Sequence, residues 1–168
     1  LEQHLEEGKL FEYWSHEACF LPLESYGRYR HHMLNPEGMG WKFNASWLRE
    51  NKQQVKQVLR HIADKGACRS ADFERKDGKA GGWWEWKPEK RALEVLFTSG
   101  KVMVAKRHKF QRVYDLTERV HTNWNDQRDL RERSDDDRDQ ILDAVRAVGL
   151  CKACWIADLF SMKKLAPA

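Results

Sequence analysis

Two cysteines, Cys151 and Cys154, stand at the spacing of half a zinc site or of a redox pair. A structural zinc site takes four ligands, and no second pair follows; Cys19 and Cys68 are isolated in the chain. Two ordinary helix cysteines are the plainer reading, and no metal or other cofactor is expected. His16, the pair His31-His32 and His108 are scattered and read as surface histidines. Trp83, Trp84 and Trp86 offer faces on which an unpaired base could stack, although packing between helices is the plainer account of them. The acidic run Asp135-Asp136-Asp137 falls in the first turn of a helix, where the macrodipole favours it, and needs no catalytic role. No glycine-rich phosphate cradle and no nucleophile–base signature can be read. The densest chemical signal is cationic. Lys87, Lys90, Arg91, Lys101, Lys106, Arg107, Lys109 and Arg112 crowd a span holding only Glu89 and Glu94 as acids. With His108 among them, such side chains can follow phosphates; a solvated charged face is the plain alternative.

The elements that would carry these residues come from a repeat. Leu1-Glu2, Gly8-Lys9 and His16 recur 92 positions later as Leu93-Glu94, Gly100-Lys101 and His108. Apolar character matches where identity does not: Leu5 with Phe97, Leu10 with Val102, Leu21 with Val113. In both copies an apolar helical stretch stops at Gly and an alternating stretch follows, which reads as helix, stop, then β-hairpin. A recognition helix followed by a wing ends a winged-helix unit in this way.

The middle of the chain completes one such unit. Ser46 is a candidate N-cap for a helix running to about Lys65, with Leu48, Val55, Val58, Leu59 and Ile62 on one face and Gly66 as its stop. Ser70 can cap a short second helix carrying Ala71 and Phe73, and a polar loop follows over 75–82. Pro88 opens a third helix, with Leu93, Leu96 and Phe97 on its buried side. Strands are expected near Val102–Lys106 and Phe110–Asp115, around a tip of Arg107-His108-Lys109. At the ends, residues 1–7 finish a helix, 9–22 form its wing with Ser15-His16-Glu17 at the tip, and 22–34 hold a connecting helix. Ser134 caps a helix through Val148, closed by Gly149, with a second helix at Ala153–Met162.

The fold class expected is therefore α+β, mainly helical, with tandem winged helix-turn-helix units, one complete and two partial. Residues 1–24 end a first unit, 25–45 connect, 46–120 form the complete unit, and 121–168 begin a third. No long uncharged apolar run is present and mean hydropathy is −0.82, which argues against a membrane span. The chain carries eight Trp in 168 residues, a large aromatic area for a compact core. A net charge of +4 permits nucleic-acid binding without demanding it, and cysteines without a secretory signal point to reduced thiols in the cytoplasm. With residue 1 inside a repeated unit and no initiator Met, a piece of a longer protein is expected.

Longer motifs add a resemblance. Phe11-Glu-Tyr-Trp-Ser-His-Glu-Ala-Cys-Phe-Leu-Pro22, Arg30-His-His-Met-Leu34 and Met39-Gly-Trp-Lys42 begin the pattern. It continues through Asp64-Lys-Gly66, Arg69-Ser-Ala-Asp-Phe73 and Gly82-Trp-Trp-Glu-Trp-Lys-Pro-Glu-Lys90. Gly100-Lys-Val-Met-Val104 and Phe110-Gln-Arg-Val-Tyr-Asp-Leu-Thr117 complete it. Together these resemble the YcaQ family of bacterial proteins, the AlkZ-like DNA glycosylases, closely over about residues 1–120 and more loosely beyond.

The resemblance implies tandem winged helices that remove N-alkylated purines and open interstrand crosslinks. An N7-alkylated purine is already a cationic leaving group, so the enzyme needs chiefly to stabilise an oxocarbenium-like sugar and position a water. The family's Gln-x-Asp or Gln-x-Gln motif belongs upstream of Leu1. Gln127-Arg-Asp129 has the letters but follows the second wing with Arg at its centre, and the role does not transfer to it. His16 and Glu17 lie in the family's His-Glu-Ala segment and are candidates to approach DNA. The expected function is thus DNA binding within a glycosylase, with damaged or crosslinked duplex as partner, no catalytic residue in this segment, and the bacterial cytoplasm and nucleoid as its place. A non-enzymatic winged-helix regulator or protein-interaction module is the alternative.

Overall fold

The computed structural model describes residues 2–15, 17–73, 86–150, 152, 155 and 156. His16, the loop 75–82, Trp83, Trp84, Cys151, Cys154 and most of the helix expected at Ala153–Met162 lie outside the described residues. The architecture is α+β and mainly helical, with two small antiparallel sheets.

The repeat is visible in the backbone. Helix α1 (Glu2–Glu6) ends at Gly8, and α5 (Pro88–Thr98) ends at Gly100; the two glycines have φ of 65° and 61°. Each adopts the left-handed conformation that glycine takes without penalty. The closing hydrogen bonds correspond one for one: Gly8 N to Leu5 O and Lys9 N to His4 O, then Gly100 N to Phe97 O and Lys101 N to Leu96 O. Such paired bonds satisfy the last carbonyls of a helix and turn the chain sharply. A hairpin follows each stop: β1 (Leu10–Trp14) with β2 (Ala18–Pro22), and β4 (Val102–His108) with β5 (Gln111–Leu116). Even the exits agree, since Leu23 N bonds Lys9 O and Thr117 N bonds Lys101 O.

Between the copies lie α2 (Tyr26–Leu34), α3 (Ala45–Glu50), α4 (Lys52–Lys65) and β3 (Cys68–Arg69). The helix expected from Ser46 to Lys65 breaks at Asn51, and its cap is Asn44, whose side chain accepts from Trp47 N at 2.9 Å. Ser70 does not cap a helix either. Residues Ser70–Asp72 form one 3-10 turn held by the reciprocal pair Arg69 and Asp72. Strand β3 joins the second hairpin, giving the order β3-β5-β4. After β5 come α6 (Thr117–Val120), α7 (Asp126–Asp129) and α8 (Arg133–Val148); α8 starts one residue before Ser134 and ends at Gly149 as expected.

The core is shared by both copies. Leu5, Phe11, Tyr13, Tyr26 and Met33 pack in one cluster with Val55, Val58, Ile62, Ala92, Leu93, Leu96, Phe97, Val102 and Val104. The second half of α5 is buried on nearly every side, so it is the axis of the molecule rather than a surface helix. Tyr13 donates to Thr98 O at 2.6 Å and Trp14 Nε1 to Thr98 Oγ1 at 3.0 Å, which fixes the first hairpin on that axis. Arg119 donates to the Ile62 and Ala63 carbonyls and closes the C-terminal end of α4.

Candidate nucleic-acid interface

The cations of the second hairpin divide by the two-residue period of β4. A bulge between Val104 and Lys106 resets the pairing, after which Lys106 faces Val113, Arg107 faces Arg112 and His108 faces Gln111. Lys106 and His108 thus share one face and are exposed, while Arg107 turns the other way. Two arginines directly opposite on a hairpin repel each other. Glu12, from β1 of the first hairpin, resolves the conflict. Its carboxylate is 1% exposed and accepts from Arg107 Nε and Nη2 at 2.9 and 2.7 Å, and from Arg112 Nε. Arg112 also reaches Glu94 at 3.3 Å and lies against the rings of Trp14 and Phe97, 5.4 and 5.0 Å from their centroids. Two negative and two positive charges therefore close on themselves between the hairpins. Burial raises the Glu94 carboxyl above the usual range, with Arg112 and the Tyr114 hydroxyl opposing that effect.

The hairpin tip differs from the sequence expectation. The turn is Lys109-Phe110, not Arg107-His108-Lys109; β4 runs two residues further than expected and β5 is shifted by one. Lys109 and Phe110 have φ of 48° and 65°, the two-residue turn whose twist suits a hairpin and which usually takes Asn-Gly. Lys109 and the Phe110 ring are exposed, the latter at 88%. Arg107 Nη1 donates to Phe110 O at 2.8 Å, so the guanidinium that holds Glu12 also holds the turn.

The remaining expected residues sit in two places. Lys87 donates from Nζ to Phe73 O at 3.0 Å, Lys90 lies 4.2 Å from the Trp86 ring centroid, and Arg91 lies 5.1 Å from that of Trp47. All three are half-buried around the start of α5, where aromatic faces hold two of the cations. Lys101 is exposed beside the stop of α5, and Glu17 is exposed at the tip of the first hairpin.

One cleft is acidic. A cleft of about 640 Å³ between α2 and α8 is lined by Glu24, Asp129, Asp136, Asp139 and Asp143, set against Arg28 and Arg131. Asp136 is buried in the first turn of α8, with His31 3.4 Å away and Arg131 3.6 Å away. A phosphate backbone is repelled there. Gln127-Arg-Asp129 forms the short α7, where Asp129 accepts from Asn125 N and pairs with Arg128, so its carboxylate is held below the usual range as a structural group. Among the described residues no group of three or more His, Cys, Asp or Glu could hold a metal ion. No helix among them is long and apolar enough to cross a membrane.

Sequence reasoning missed Glu12, Phe110, and the cluster of Tyr26, Arg30, His121, Trp124 and Asp126. Glu12 alternates with apolar Phe11 and Tyr13 in β1, and nothing in the one-dimensional pattern marks it as buried. Phe110 had a signal in its position after Lys109, yet an aromatic residue is a poor guess for a left-handed turn.

A family model for the DNA glycosylase AlkZ-like family matches residues 1–168. The chain belongs to the AlkZ-like DNA glycosylase family. Membership relates it to DNA repair by base removal and makes DNA the substrate of the parent activity. No solved structure matches the chain. In this AlkZ-like chain the buried Glu12 and the half-buried Glu94 are both engaged by arginines.

Proposed function

We propose that this chain is the DNA-gripping portion of a glycosylase that excises N-alkylated purines and unhooks interstrand crosslinks in bacterial cytoplasm and nucleoid. Residues 46–120 act as a complete winged-helix unit, 1–24 as the end of a first and 121–168 as the start of a third, with 25–45 connecting. The order helix, short strand, helix, hairpin, with the short strand on the hairpin, supports the reading for 46–120. The observation that carries it is the hairpin β4–β5. It is anchored through buried Glu12 and projects Lys106, His108 and Lys109 into solvent. Lys87, Lys90, Arg91 and Lys101 extend the phosphate-following surface along α5. Arg107 and Arg112 serve by holding the wing, and His16 and Glu17 approach the duplex from the first wing. No catalytic group is assigned to this segment, and the chemistry resides on the family's Gln-x-Asp element.

The test pairs binding with chemistry. Fluorescence anisotropy on duplex DNA should show affinity that falls steeply with salt. Alkali-revealed cleavage of duplex carrying N7-alkylguanine or a nitrogen-mustard crosslink should appear only with a longer version that includes the Gln-x-Asp element. Base release by the 168-residue chain alone would overturn the division of labour. Tight binding to one operator-like sequence, with no excision by either version, would favour the regulator reading instead.

A further inference from the structure

Phe110 breaks two local rules at once. It is a bulky residue with φ of 65°, in a turn that ordinarily takes Gly, and its ring is 88% exposed. A hairpin needing only a stable turn would place Gly there, and a soluble surface would not place Phe there. The conformation is nevertheless secured. Phe110 O accepts from Arg107 Nη1 at 2.8 Å, and the same guanidinium is bidentate on the buried Glu12 carboxylate. The ring is therefore presented from a tip tied to the core through two side chains. Around it stand the exposed Lys106 and Lys109, with His108 beside them.

We infer that Phe110 is a wedge that enters duplex DNA between adjacent base pairs when the wing settles on the backbone. The inference rests on the DNA-gripping reading above and adds the group that deforms the duplex. An apolar side chain inserted at a base step unstacks it and kinks the helix, and flanking cations hold the phosphates while it does so. An aromatic ring is suited to the task because it replaces part of the lost base–base stacking with its own. The rigid tip matters for the same reason, since a wedge on a mobile loop would lose its ordering entropy on every insertion. Unstacking would also ease exposure of an alkylated base that a crosslink prevents from swinging out freely.

The experiment uses the 168-residue chain and a duplex with a central 2-aminopurine, whose emission rises when it is unstacked. Anisotropy on the same duplex reads affinity, and thermal melting reads the fold. Wild type should saturate the duplex with a clear rise in emission. Phe110→Ala should bind roughly 5- to 10-fold more weakly, the loss expected for one stacking contact, and leave emission at the free-duplex level. Phe110→Leu, which keeps an apolar wedge, should restore part of the rise. Both variants should melt with wild type. Saturation by wild type without any rise, or an undiminished rise with Phe110→Ala, overturns the wedge and leaves DNA gripping intact. A fall in melting temperature that accompanies the loss assigns the ring to the fold and overturns the wedge as well. Absence of binding by wild type at low salt removes both readings.

Discussion

Two buried side chains show how single residues set conditions on the whole. Glu12 is enclosed and answers two arginines that face each other across β4 and β5. Removing its charge leaves Arg107 without its carboxylate and Arg112 with Glu94 alone, and losing one partner of a buried pair costs about 3–5 kcal/mol. Glu12→Gln should lower the urea midpoint accordingly. A second substitution, Arg107→Gln, should return part of the loss, because one unmatched cation goes with it; a double-mutant cycle reads the difference. His121 sets a pH limit. It is 8% exposed, with its ring centroid 4.4 Å from that of Tyr26, and among the described residues its Nε2 has no hydrogen-bond partner. Burial, with the Arg30 charge nearby, pushes its pKa down to about 4, against about 6.5 in an unfolded chain. Well above pH ~6.5 neither state carries the proton, and the residue is silent. Between there and pH 4 the unfolded chain binds a proton that the folded chain refuses, so about 3 kcal/mol of stability disappears as the pH falls. Urea melts at pH 7 and pH 4.5 should show that loss, and His121→Phe should flatten it.

The paired helix stops offer an internal comparison among the elements. Gly8 and Gly100 close their helices with the same hydrogen bonds and nearly the same φ, but their surroundings differ. A methyl group at Gly8 would meet nothing within 4 Å, whereas at Gly100 it would fall 2.8 Å from Met33 Cβ. Gly8→Ala should therefore cost only the left-handed strain, about 1–2 kcal/mol, and Gly100→Ala several-fold more in chemical denaturation. Equal losses would mean that α2 gives way beside Gly100. Both stops were legible in the sequence because each glycine follows an apolar period and precedes an alternating one. The α5 start was legible too, through Pro88, and so was the class of fold. The break at Asn51 was not, since Leu48, Val55 and Ile62 keep one apolar face across it, and the helices part only where Asn51 turns its backbone N–H and its side-chain amide onto Trp47 O. The hairpin tip was misplaced by two residues because charge marked Arg107 as solvent-facing, while its true partner, Glu12, lies 95 residues earlier. Long-range ion pairs leave no local trace, so counts of basic residues overstated the surface available to phosphate.

That overstatement has a measurable consequence for the molecule as a whole. Its excess of four positive charges is not spread evenly. The α2–α8 cleft is acid-lined, Arg107 and Arg112 are neutralised internally by Glu12 and Glu94, and Arg30 is bidentate on Asp126 at 2.8 and 2.7 Å. Lys106 and Lys109 remain exposed at the wing and Lys101 at the stop of α5, and Lys52, Lys56, Arg60 and Lys65 are exposed along α4. Each cation that neutralises a phosphate displaces condensed counterions and adds about 0.9 to the slope of log affinity against log salt. Cations already closed on carboxylates add none. Lys106→Ala and Lys109→Ala should each flatten that slope by about 0.9. Arg107→Gln should leave the slope as it is and lower affinity at every salt concentration, because it frees the turn that presents Phe110. Anisotropy titrations between 50 and 200 mM salt separate the two behaviours, over a range where six to ten phosphate contacts cost roughly 10³- to 10⁵-fold and fewer contacts proportionately less. A slope that drops with Arg107→Gln as much as with Lys106→Ala would place Arg107 on the DNA instead of inside the fold, and the clamp between the hairpins would have to open on binding.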